Sequence, residues 1–155
     1  MSINFEIKSD LGGVAQRLSL VHSLLGSDEQ RKKLMGNIAT VLENSTRKRF
    51  ETKTLPNGSK WASWADSTRN SKKYRDRVES DRLLRDSSTL LKSLTRHASA
   101  QLAQVGSNRH YAPYLQLGTA KMPARPFFGI DETDRQDMND VLQTWLMRIG
   151  ENQSA

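Results

Sequence analysis

Nine consecutive residues limit this chain more tightly than any others: Met122, Pro123, Ala124, Arg125, Pro126, Phe127, Phe128, Gly129 and Ile130. Each proline fixes its own φ and pushes the residue before it out of the helical region, so Met122 and Arg125 are predicted to be extended. Phe127, Phe128 and Ile130 then read as a short buried strand or a strand-like segment. The acids Asp131, Glu132 and Asp134 suit the positive end of a helix, and Met138, Val141, Leu142, Trp145, Leu146 and Ile149 recur at helical spacing behind them. A rigid arm therefore feeds an amphipathic helix.

The remaining elements follow from periodicity and punctuation. Ile3, Phe5 and Ile7 alternate with polar neighbours, the period of a half-buried strand, and Val14, Leu18, Val21 and Leu25 recur as a helix up to Gly26. Ser27 and Gln30 have the S-x-x-Q form of a capping box. They start a second helix with Leu34, Ile38, Val41 and Leu42 as its stripe and Phe50 closing that face. Pro56, Asn57 and Gly58 end it in a turn. Beyond Trp61 and Trp64 large apolar residues are nearly absent, which predicts a long loop over 59–81 with room for one helical turn. Leu83, Leu84, Leu90, Leu91 and Leu94 suggest a short helix from near Ser87. Thr95–Ser99 and Gln101–Val105 are expected to pair as a hairpin, and His110–Leu117 to form a short helix stopped by Gly118.

These elements make an α+β fold, a small antiparallel sheet packed against two or three helices, with a long basic loop. The 155 residues suit one domain over 1–150 and a flexible tail over 151–155. Hydrophobic residues make up only 35% of the chain, and the mean hydropathy is −0.69. The core is therefore small, as in a subunit that completes its burial in an oligomer or in a plain polar monomer. No apolar run approaches the roughly 18 to 20 residues that span a bilayer. With no cysteine and no basic-then-apolar leader, a cytoplasmic product is the default expectation.

The positive charge is concentrated in one place. Between Thr46 and Arg85 there are 12 Lys or Arg against 5 acids, an excess that equals the net charge of +7 for the whole chain. Arg69, Lys72, Lys73, Arg75 and Arg77 form the centre of this segment. They are either a solvated arm or a contact for an acidic protein surface or a polyanion. Trp61 and Trp64 either stack on bases or, the favoured alternative, anchor the loop on its core.

Catalytic chemistry finds little footing. His22, His97 and His110 share no ligand spacing, no phosphate-cradling glycine loop is present, and Gly12-Gly13 reads as a simple turn. The acids around Asp131 and at Asp137 and Asp140 suit capping and solvation. No catalytic residue, metal site or cofactor is expected.

Four blocks resemble the phage virion morphogenesis family, the tail completion proteins of Mu-type and related tailed bacteriophages. They are Arg49-Phe50 with Leu55-Pro56-Asn57-Gly58 and Trp61; Leu83-Leu84-Arg85-Asp86-Ser87; Val105-Gly106-Ser107 through Tyr111-Ala112 to Gln116-Leu117-Gly118; and Pro123 to Gly129. The resemblance spans residues 47 to 149. Asp86-Ser87 replaces the usual Thr-Gly, and Leu115 and Leu117 stand where His and Phe are common.

The resemblance implies a non-enzymatic structural protein that completes the tail and joins it to the head at the neck of the virion, after assembly in the host cytoplasm. A cylindrical tail further suggests a cyclic ring of copies, a hexamer, flanked by other neck, tail and connector proteins, with DNA passing through its channel. In that setting Arg125, Phe127, Phe128, Trp61 and Trp64 are candidate interface residues; the alternative for the arm is a rigid crossing loop inside the monomer, with Arg125 bonded to nearby backbone or acid. The acidic C-terminal helix is a candidate complement for a neighbour's basic loop. The alternative is a nucleic-acid-binding protein using residues 46–85.

Overall fold

The computed structural model describes residues 27–85 and 87–153. The expected first strand and first helix, His22, Gly12-Gly13, Asp86 and residues 154–155 lie outside the described residues. Among those described, six α-helices and a two-stranded antiparallel sheet are present, an α+β fold as the periodicity predicts. In chain order they are α1 (Asp28–Thr52), α2 (Asp66–Arg69), a 3-10 turn (Lys72–Tyr74), α3 (Arg75–Glu79), α4 (Thr89–Lys92), β1 (Leu94–Ala98), β2 (Ala103–Ser107), α5 (Ala112–Leu117) and α6 (Glu132–Gln153). No helix among the described residues is long and apolar enough to cross a membrane.

The chain forms two compact units. Among the described residues, one contains 45–95 and Gly106–Gly129; the other contains 27–44, Arg96–Val105 and 130–153.

In the second unit, Leu34, Met35 and Ile38 of α1 pack with Met138 and Leu142 of α6. Val41, Leu42, Val141, Trp145 and Ile130 extend this cluster. Ala98 and Ala103 of the hairpin pack against it. Both helices begin as the sequence predicts. The Gln30 amide donates to Ser27 Oγ at 3.3 Å. At α6 the box is reciprocal: the Asp134 amide donates to Asp131 Oδ1 at 2.8 Å and the Asp131 amide donates to Asp134 Oδ2 at 3.0 Å. Asp134 is buried in doing so.

Three differences from expectation have physical causes. Leu146 lies outside the α6 stripe and is exposed, because eight residues beyond Met138 at about 100° each place it some 80° around the helix. The hairpin pairs Leu94–Ala98 with Ala103–Ser107. Ser99 sets the turn by accepting the Gln101 and Leu102 amides on its hydroxyl and donating its own amide to the Leu102 carbonyl at 2.8 Å. The segment 59–81 holds α2, the 3-10 turn and α3 rather than a single helical turn. Closely spaced main-chain bonds such as Arg69 to Ala65 at 2.9 Å and Ser80 to Asp76 at 3.0 Å wind it locally, with no apolar stripe needed. Sequence periodicity also gave no sign of Glu43, a buried acid on α1 that accepts from Arg96 at 2.6 Å.

Asp131→Ala removes one half of the α6 box, with an expected loss of about 1 kcal/mol. Leu34→Ala opens the α1 to α6 cluster, with an expected loss of about 2 to 5 kcal/mol. Urea unfolding monitored by circular dichroism measures both.

Candidate functional site

The first unit is organised around the proline arm. Helix α1 closes with Lys53 in the left-handed region at φ +55°. A tight reversal follows: Thr54 pairs with Lys60, the Gly58 amide reaches the Leu55 carbonyl at 2.9 Å, and Gly58 takes φ +83°. This brings Trp61 back beside Phe50, with their rings edge to face at 5.4 Å. Phe127 completes the group at 5.2 Å from Phe50 and 4.5 Å from Phe128. Phe127 is 0% exposed, and Phe50, Phe128 and Trp61 are buried with it. Each such aromatic pair contributes roughly 0.5 to 1.5 kcal/mol beyond its buried area.

The arm is neither helix nor strand over 123–130, and among the described residues no strand pairs with Phe127 and Phe128. Side chains satisfy its main chain instead. Gln116 of α5 accepts the amides of Phe127 and Phe128 on Oε1 at 3.0 Å each and donates Nε2 to the Phe128 carbonyl at 2.9 Å. Arg49 donates to the Gly129 carbonyl at 2.9 Å, and Trp61 Nε1 donates to the Pro126 carbonyl at 2.9 Å. The Arg125 amide donates to the Leu115 carbonyl at 2.8 Å. The Arg125 side chain is buried; its Nε donates to Ala62 O at 2.8 Å and its NH2 group to Ser63 O at 2.7 Å. Burial lowers the pKa of this guanidinium from its ordinary value.

Two glycines allow the close approaches. A Cβ on Gly118, at φ +76°, would lie 2.7 Å from the Ala124 nitrogen, and one on Gly129 would overlap Pro56 Cγ.

The basic segment lies apart from this network in character. Lys72, Lys73 and Arg75 are exposed, whereas Arg77 is half-buried. Lys73 Nζ and Arg77 Cζ stand 5.4 and 5.2 Å from the Tyr74 ring centre, so one aromatic face organises two cations. Arg69 is exposed but tied down, donating to Ser63 Oγ at 3.2 Å and lying 3.9 Å from Asp66. Lys53 pairs with Asp81. Besides Lys53, the non-glycine residues Asp81, Leu84 and Ser88 hold φ values of +50°, +58° and +54°. Trp64 is half-buried with its indole nitrogen sealed from solvent and without a hydrogen-bond partner among the described residues.

The sequence-derived candidates thus separate into two groups. Arg125, Phe127, Phe128 and Trp61 converge on one packed network, while Arg69, Lys72, Lys73 and Arg75 lie on the surface. Sequence reasoning missed Gln116 and Arg49 as the residues that hold the arm. Their only signal was their place in the Arg49-Phe50 and Gln116-Leu117-Gly118 blocks. His97 and His110 are exposed, and His110 stacks edge on to Tyr111 at 5.4 Å. No group of three His, Cys, Asp or Glu among the described residues is placed to hold a metal ion.

Comparison with known proteins gives a consistent result. The model of the phage virion morphogenesis family matches residues 13–147. The Mu-like prophage FluMu G protein 1 of Haemophilus influenzae is 28% identical over 151 residues, covering 95% of this chain and 98% of that protein. Protein G of Escherichia phage Mu, named for capsid assembly, is 27% identical over 152 residues, covering 92% and 94%. No solved structure matches.

Gln116→Leu leaves two buried amides and a carbonyl without partners, and a loss of roughly 3 kcal/mol in urea unfolding is expected. Gly129→Ala drives a methyl into Pro56 and is expected to cost about 1 to 3 kcal/mol. Adding Pro56→Ala, which removes the overlapping Cγ, recovers part of that loss.

Proposed function

This chain belongs to the phage virion morphogenesis family, whose members are structural assembly proteins, and we propose that it completes the tail and joins it to the head at the neck. The supporting observation is the division within its first unit. The arm's aromatic side chains and main-chain polar groups are satisfied internally, while Lys72, Lys73 and Arg75 remain outward. A part that is rigid inside and charged outside suits docking between larger assemblies, and no catalytic step belongs to this role. The name of the Mu relative ties that protein to the capsid, and a junction where capsid meets tail accommodates such a link.

In this role copies of the chain form a closed ring of six, with head-to-tail contacts between neighbours, as cyclic symmetry on a tail axis requires. The exposed cations face acidic groups of a flanking neck protein or the DNA that passes through the ring. A second function, binding nucleic acid through residues 46–85, is favoured by the paired cations around Tyr74.

Removing the gene from an inducible phage tests the assembly role by electron microscopy. Filled heads and separate tails are the expected products; intact virions, or a failure to form heads, would contradict neck joining. The combined variant Lys72→Glu, Lys73→Glu, Arg75→Glu is expected to fold normally and to reduce the yield of joined particles. A gel shift of the purified wild-type protein that weakens steeply with salt would favour the nucleic-acid function instead.

A further inference from the structure

Among the described residues, five large apolar side chains stand exposed: Leu102, Tyr114, Leu117, Leu146 and Met147. Four of them lie on two helices. Tyr114 and Leu117 lie three residues apart on α5, hence on one face, and are 57% and 70% exposed. The opposite side of that helix is fixed, because Gln116 holds the arm and Ala112 is buried. The face is therefore presented rigidly, an aromatic and an aliphatic anchor of the type that dominates protein interfaces. Directly after the helix comes the turn closed by Thr119 and Met122, which carries the exposed Lys121.

The second patch sits on α6. Asp137, Asp140, Thr144 and Met147 recur at i, i+3, i+7 and i+10, a single stripe, and all four are exposed. This stripe is acidic at one end and ends on Met147, 66% exposed, while Leu146 points about 100° away from it. Methionine adapts its shape to a neighbouring surface.

One chain thus presents an apolar pair followed by a base, and a helix stripe that runs from two acids to an apolar tip. A head-to-tail contact joins two different patches of identical subunits, and these two match in both hydrophobicity and charge. We infer that Tyr114 and Leu117 of one copy dock on Met147 of the next, with Lys121 facing Asp137 and Asp140. This contact rests on the ring reading above and assigns its two faces.

Because the chain has no cysteine, introduced thiols report on it cleanly. Full-length Leu117→Cys and Met147→Cys proteins are purified separately, mixed and treated with a short bis-maleimide. A linked two-chain species is expected from the mixture and not from either protein alone. Chains carrying both substitutions should give a ladder of multimers.

Absence of linkage in the mixture, with wild-type protein sedimenting as an oligomer, overturns the contact and leaves the ring standing. No linkage with a monomeric wild type on sedimentation and on tails defeats both. Self-linkage of Leu117→Cys alone shows a two-fold contact and also overturns the inference. Independently, Lys121→Asp should weaken self-association about tenfold, and Asp140→Lys in the same chain should restore it; unchanged association in Lys121→Asp counts against the contact.

Discussion

A buried segment with no pairing strand among the described residues needs its amides and carbonyls bonded by something else, and in this protein one glutamine bonds three of them. Gln116 accepts two consecutive amides and donates to a carbonyl, so a single side chain takes the place of a strand. Magnitudes show why this matters. Burying Phe127 and Phe128 is worth roughly 1.5 to 3 kcal/mol each, while each buried polar group left unpaired costs about 1 to 3 kcal/mol. Without Gln116, Arg49 and Trp61 as partners, the main chain that carries the two rings would cancel the benefit of burying them. The aromatic network and its hydrogen bonds therefore stand or fall together.

Much of this was legible from residue spacing. The prolines marked a segment outside helix, the Ser27 box and the acids at Asp131 marked two helix starts, and the apolar stripes of α1 and α6 were visible, although nothing in the spacing said that they would pack on each other. Gly118 stopped α5 where expected. The polar partners were not legible, because periodicity reports which side chains leave water and not which donors they meet. Gln116, Arg49 and Glu43 look like surface residues in sequence, yet Arg49 and Glu43 are buried. The winding of 59–81 into short helices was hidden for a related reason, since one-turn helices held by local bonds need no hydrophobic pattern.

The role of Arg125 shows how a sequence candidate changes meaning in structure. Its fixed fork was a candidate for recognition, and the guanidinium is engaged by the carbonyls of Ala62 and Ser63, at the root of the basic segment. The same charge thus fastens the arm to the start of the excursion that carries Lys72, Lys73 and Arg75. Family membership supplies the context of particle assembly, and this link supplies a physical reason why the arm and the excursion occur together in one chain.

Lys53, Asp81, Leu84 and Ser88 adopt a backbone region that glycine enters freely and other residues enter only at some steric cost. None of the four bends around the excursion is a glycine hinge. Side-chain bulk narrows the directions in which the cationic stretch can leave and rejoin the body. In the proposed role a partner meets a surface already shaped, and less of the binding energy is spent on immobilising it.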